Sequence, residues 1–421
     1  MMRFDKVLPD AAFLYTSHFF RYVFPLAVVP FLARHLGPEA YGIVLTALSL
    51  TTLVAIIVEY GFGVSGARDI AASDPNALGP VLSGVLTAKL LLVVLACAFG
   101  TGIAAASPVL RAHYGFVAWA VALGIVQGMN MSWFFRAVGR TGTGITIDIT
   151  SQLVYVVCLF SFVTRPEHSI LVLIFQTTCL AGGQFASLVF IYLHTPYNMV
   201  PWRSALTTLV RGLSMFTLSA SIAAYTAAGS LILALLAGPE QVGFFGPADR
   251  LVSAALQLTA PLSALLLPHM TRTVLADPKR AMNILRVIVV VLTAGAIAGA
   301  TLAVMLAGYM LPILLGPGFE PSVPIFRALV LVLPLSIYSQ CLAMLLLIPV
   351  GRDRAVTGVA LGAGALNLLL AVALVPKFGA VGMACGRIVT EAAVAVVSTI
   401  VVLRLRRQWA ERSLDGGTEI G

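Results

Sequence analysis

Long apolar runs separated by short polar turns recur along the whole chain. A helix needs about 20 mainly apolar residues to cross the hydrocarbon core of a bilayer. The runs predict twelve such spans, at 8–33, 39–64, 80–106, 115–138, 143–164, 169–194, 208–236, 243–270, 282–308, 323–349, 354–375 and 380–404. The third and ninth are the plainest, around Leu90–Ala98 and Val287–Ala307. The seventh is the most polar, with Ser214, Thr217, Ser219, Ser221, Tyr225, Thr226 and Ser230 inside it. Loops longer than about 20 residues are missing from this pattern, which leaves no room for a soluble catalytic or ATP-hydrolysing domain. The expectation is an all-α integral membrane protein of about 12 transmembrane helices.

One turn occurs twice. Gly37-Pro38-Glu39-Ala40-Tyr41-Gly42 separates the first two spans, and Gly238-Pro239-Glu240-Gln241-Val242-Gly243 separates the seventh and eighth. In each, Gly and Pro break a helix, Glu falls in the first turn of the next one, and the closing Gly permits close backbone approach. The chain therefore reads as two related halves: an N-lobe at 1–200 with six spans, a C-lobe at 201–404 with six more, and a short basic tail at 405–421. An even number of spans separates the copies, so the halves are parallel repeats about an axis along the membrane normal, with a substrate path expected between them.

Composition agrees: 59% of residues are apolar and 10% charged, far below the roughly 25% charged of a soluble domain. The net charge of +9 is read as cytoplasmic loops facing anionic lipid, and nucleic acid is not expected as a partner. With the N-terminus inside, seventeen Lys and Arg fall in inner segments and four, Arg34, Arg111, Arg165 and Lys377, in outer loops. That bias predicts a multi-pass protein with both termini in the cytoplasm. The N-terminus lacks a cleavable signal pattern, since Arg21 interrupts its first apolar run. Cys97, Cys158, Cys179, Cys341 and Cys385 lie inside apolar runs without metal-ligand spacing and read as small packing residues.

The charges left inside the spans are Arg21, Lys89, Arg250, Arg327 and Arg387, with Glu59, Asp148, Asp249 and Glu391. A charge at bilayer depth is costly and needs a partner, water or a function. Four polar stripes emerge at helical spacing: His18, Arg21 and Pro25; Arg250, Ser253 and Gln257; Asp148, Gln152 and Tyr155; Ser49, Thr52 and Glu59. Such stripes on apolar helices describe a water-filled cavity. Structural roles compete for several of them. Arg387 and Glu391, four residues apart, are read as neutralising each other, and Arg327 as snorkelling to the interface. Asp249 is open to a structural pairing across helices, and Lys89 fits either role. Arg21 and Arg250, one in each half, are the strongest functional candidates.

No acid–base pair, nucleophile set, metal cluster or cofactor motif stands out, so no enzyme is expected. Gly139-Arg140-Thr141-Gly142-Thr143-Gly144 lacks the preceding strand and the following Gly-Lys-Ser/Thr of a phosphate loop and reads as an inner turn. Pro25, Pro30, Pro261, Pro268 and Pro334 interrupt spans and predict kinks, which suit a protein alternating between inward-open and outward-open forms.

The run from Phe31 through Gly42, followed by Glu59-Tyr60-Gly61-Phe62-Gly63 and Ala67-Arg68-Asp69, resembles bacterial oligosaccharide flippases of the Wzx type. These belong to the multidrug/oligosaccharidyl-lipid/polysaccharide exporter superfamily. Trp133-Phe134-Phe135 looks like the family's Trp-x-Phe-Gln-Gly segment, with Arg136-Ala137 in place of Gln-Gly. Gly243 through Val252 is similar to its Gly-x-Tyr-x-x-Ala-x-Arg-Leu stretch, with Phe245 for Tyr, and Leu374 through Gly382 resembles its turn before the last span.

The resemblance implies two six-helix lobes around a central cavity, and a polyprenyl-pyrophosphate-linked oligosaccharide carried from the inner to the outer leaflet. It also implies a bacterial cytoplasmic (inner) membrane, and a polysaccharide polymerase and chain-length regulator as partners beside membrane lipids. Arg21 and Arg250 would bind the pyrophosphate, with His18 and Gln257 on the same faces, because Arg matches phosphate with a planar fork. Glu59 and Asp148 are the ion-coupling candidates. Glu59 stands where lipid II flippases carry basic residues, which argues against that substrate. An ion-coupled multidrug exporter of the same superfamily is the alternative; its cavity would favour acidic and aromatic groups over Arg21 and Arg250.

Overall fold

A computed structural model describes the backbone of residues 4–73, 78–195 and 202–415. It also describes their side chains, except at 4–26, 202–204, 214–215, 218–228, 260–261, 264–265 and 410–415. The regular elements of the described residues are helices throughout, as the apolar periodicity requires where no water can satisfy an open backbone. Among the described residues, eight helical stretches are long and apolar enough to cross a membrane. One of them, Asp353–Trp409, contains Gly379 at φ 55 and is two helices joined at that glycine.

The chain forms two compact units, Met1–Gly246 and Pro247–Gly421. The first holds α1 (Phe4–Glu59), α2 (Phe62–Ala71), α3 (Leu78–Ala106), α4 (Pro108–Ala112) and α5 (Tyr114–Gly128). It continues with α6 (Ser132–Ala137), α7 (Thr141–Phe162), α8 (Ser169–His194), α9 (Trp202–Ala237) and the start of α10 (Pro239–Gln257). The second holds the rest of α10, then α11 (Ala260–Ala276), α12 (Pro278–Leu315), α13 (Ser322–Val330) and α14 (Val332–Leu342), and ends with α15 (Asp353–Asp415). A π-helical turn at Ala343–Leu347 follows α14 directly.

The repeated turns behave alike. Gly37 has φ 73 and Gly238 φ 88, and Pro239 opens α10 with Glu240 in its first turn. Both copies lie in the first unit, and they meet. A β-carbon on Gly42 would overlap the Pro239 carbonyl, and one on Gly243 would overlap the Pro38 carbonyl. This reciprocal contact is backbone against backbone, and only glycine allows it.

A second close crossing holds α1 to α5. Gly124 and Gly128, four apart, face Thr51, Ala55 and Val58; an added β-carbon would come within 2.7 Å of the Thr51 carbonyl and 2.8 Å of the Ala55 carbonyl. Thr51 Oγ1 donates across the same seam to the Ala120 carbonyl at 3.0 Å. The Trp133-Phe134-Phe135 segment is buried against Phe62, Leu82 and Met131. In the second unit Met270, Leu285, Leu346 and Val402 form the core. Outward faces are apolar as well: α7 and α12 each bury only 11% of their most apolar window. Water would not tolerate that surface, and lipid does.

Candidate functional site

The fourth predicted span is broken. α5 ends at Gly128 and α6 begins at Ser132, leaving Met129, Asn130 and Met131 between them. A break at membrane depth exposes helix-end carbonyls and amides that need partners, and neighbouring spans supply them. Lys89 of α3, wholly buried, donates from Nζ to the Gly128 carbonyl at 2.8 Å and the Asn130 carbonyl at 3.2 Å. A cation at the C-terminus of α5 also meets the negative end of its dipole. The Met131 amide donates to Gln184 Oε1 at 3.1 Å, and the Ser132 amide to Asn130 Oδ1 at 2.8 Å. Ser132 Oγ then donates to Asp148 Oδ2 on α7 at 2.6 Å.

Glu59 sits at another junction, between α1 and α2. Its two carboxylate oxygens accept the Gly61 and Gly63 amides, each at 2.7 Å. A carboxylate there complements the positive start of α2. Tyr60 is pulled to φ 52 in the process and stacks on Phe216 of α9, with ring centroids 4.5 Å apart. Glu59 is also within electrostatic reach of Lys89. Ser49 and Thr52, on the same stripe, donate back to their own helix at Leu45 and Leu48.

In the second unit Asp249 of α10 forms an ion pair with Arg387 of α15, with side chains 27% and 21% exposed. This pairing crosses between helices, as the open reading of Asp249 allows. Arg250, next to Asp249, is half-buried and makes no ion pair among the described residues. Gln257 is exposed at the last position of α10, where the helix breaks before Pro261 opens α11. Arg327 is exposed, and its Nε donates to the Val304 carbonyl at 3.3 Å. His18 and Arg21 lie on the α1 backbone, but their side chains are outside the described residues. Gly139, at φ 71, turns the chain between α6 and α7.

Between α5, α7 and α8 lies a half-open cavity of about 270 Å³, walled by Gln127, Asn130, Ser151, Gln152, Tyr155 and Gln176. The Asp148 stripe thus brings Gln152 and Tyr155 to a real cavity. Sequence reasoning missed the amides that complete it, along with Gln184. The signal is present in the sequence: Gln127, Asn130, Gln176 and Gln184 are uncharged polar residues inside apolar runs, on no stripe that also carries a charge.

Residues 7–274 match the family of polysaccharide biosynthesis proteins. Two relatives named "Putative O-antigen transporter" are each 24% identical to the chain. The one from Escherichia coli (strain K12) aligns over 91% of this chain and 93% of its own length, the one from Shigella dysenteriae over 90% and 95%. Among solved structures, lipid II flippase MurJ in an inward closed conformation superposes with TM-score 0.72 at 12% identity, covering 94% of this chain and 87% of its own. An inward-facing multidrug resistance MATE family transporter of the MOP superfamily gives 0.62 at 13% identity, covering 92% and 99%. These structures share the all-helical membrane fold described above, and the match over well more than half its length makes the chain a member of the polysaccharide biosynthesis protein family.

Proposed function

We propose that the protein is a flippase that carries polyprenyl-pyrophosphate-linked oligosaccharide from the inner to the outer leaflet. The membrane is the bacterial inner membrane, with both termini in the cytoplasm, and a polymerase and chain-length regulator act downstream. Relatives bearing the O-antigen transporter name align along nine-tenths of the chain, which favours a lipid-linked glycan as cargo. The observation that carries the reading is Arg250. Its neighbour Asp249 is neutralised by Arg387, while Arg250 itself has no ion pair among the described residues. A half-buried guanidinium on a predicted span suits a pyrophosphate, which crosses low dielectric only with cationic partners. Gln257, further along the helix that carries Arg250, is proposed as a second contact of the cargo, and Arg21 and His18 on the first span are proposed separately as cargo contacts.

The test is glycan export alongside membrane abundance. Arg250→Ala should abolish export at normal abundance, because Asp249 keeps its partner. Arg250→Lys should restore part of it, retaining charge but losing the bidentate fork. Normal export by Arg250→Ala would remove Arg250 from the substrate path.

A further inference from the structure

The cavity between α5, α7 and α8 has no role in holding a pyrophosphate, since none of its walls carries a charge. Its chemistry is different. Gln127, Gln152 and Gln176 are half-buried, and their side-chain amides make no hydrogen bond among the described residues. Asn130 uses Oδ1 on the Ser132 amide, and Ser151 donates to its own helix at Ile147. Tyr155 adds a phenol to the wall. Polar amides at membrane depth are costly unless something hydrogen-bonds to them. Of the four primary amides in the wall, the three of Gln127, Gln152 and Gln176 offer donors and acceptors side by side, as vicinal hydroxyls do. A volume of about 270 Å³ sits just under the roughly 300–1,000 Å³ of sites for drug-sized ligands, so it suits about one sugar ring.

The walls are also fixed in place. The break that presents Asn130 is fastened by Lys89 and Gln184, and the α5 backbone carrying Gln127 is seated on α1 by Gly124 and Gly128. Held polar groups of this kind read a ligand by geometry. We infer that this cavity is a subsite for an uncharged sugar residue of the translocated glycan, read by the amides of Gln127, Gln152 and Gln176. The inference rests on the flippase reading and adds the part of the cargo this cavity recognises.

The full chain in nanodiscs would be titrated with two probes: synthetic polyprenyl pyrophosphate without sugar, and pyrophosphate-linked glycolipid extracted from the cells that make the protein. Wild type should bind the glycolipid more tightly than the bare lipid. In Gln152→Leu/Gln176→Leu that advantage should fall about tenfold with bare-lipid affinity unchanged, which also shows the variant is folded. Gln127→Leu alone should give a smaller loss of the same kind. A variant that keeps the whole sugar advantage overturns the subsite, as does one whose only change is in the sodium or pH dependence of transport, which would make the cavity an ion path. If wild type binds neither probe, the flippase reading falls and takes the subsite with it.

Discussion

The two coupling candidates differ in the kind of partner they hold: both oxygens of Glu59 are engaged by backbone amides at 2.7 Å, which cannot turn away. Asp148 is engaged at Oδ2 by a Ser132 hydroxyl, a partner that can reorient when the carboxylate gains a proton or an ion. Glu59 holds a helix start and a strained Tyr60, so protonating it would disturb the fold locally. In the proposed ion linkage, Asp148→Asn should alter the pH or sodium dependence of transport at normal abundance. Glu59→Gln, which replaces one acceptor oxygen by a donor, should instead lower membrane abundance and thermal stability by about 1–3 kcal/mol. Transport by Asp148→Asn that follows pH and sodium like wild type would leave Asp148 a structural partner of Ser132. Lys89 was the charge for which sequence alone allowed either role, and its hydrogen bonds to Gly128 and Asn130 give it a fastening one. Lys89→Met should strand one buried and one half-buried carbonyl and cost about 1–3 kcal/mol, read as a lower unfolding temperature in detergent. An unchanged unfolding temperature would mean that water replaces the ammonium.

Close helix crossings depend on what is absent from the side chain. At the Gly42–Gly243 crossing each glycine faces the other turn's proline carbonyl, so either Ala substitution drives a methyl into backbone that cannot move aside. Overpacking of this kind costs about 1–3 kcal/mol and shifts the backbone. Gly42→Ala and Gly243→Ala should each lower abundance and glycan export, while Gly182→Ala, which meets open space, should change neither. Equal tolerance at all three would mean the crossing is loose in the membrane. The echo between the two turns was legible because Gly-Pro and the following Glu act locally, through backbone dihedrals and the helix dipole. That the copies touch was not legible, since contact depends on tertiary packing. The same divide separates the broken spans. Pro261 and Pro334 announce breaks before α11 and within the tenth span, whereas the break after Gly128 has no proline and is stabilised by Lys89 and Gln184 from other helices. Charges on one stripe could be grouped from sequence, but the cross-helix pairing of Asp249 with Arg387 could not.

For the molecule as a whole, apolar exposure and basic charge give separate information. The apolar outer faces of α7 and α12, with 11% of their most apolar windows buried, require lipid around them but carry no direction across it. Direction comes from the Lys and Arg count in the loops, because basic segments resist translocation across the membrane. The proposed orientation puts Lys279, at the start of α12, on the cytoplasmic side, and Arg165, between α7 and α8, on the outer side. Both residues are exposed, so a cysteine at either is open to reagent without disturbing a core. In a variant lacking the five native cysteines, Lys279→Cys should react with a membrane-impermeant maleimide only after the membrane is permeabilised. Arg165→Cys should react in intact cells. Arg165 stands in a short connection and Lys279 in the first turn of a long helix, so an error of a few residues in one span boundary would not exchange their sides. The reverse pattern would place the termini outside, and the proposed path from inner to outer leaflet would then run the opposite way through the same helices.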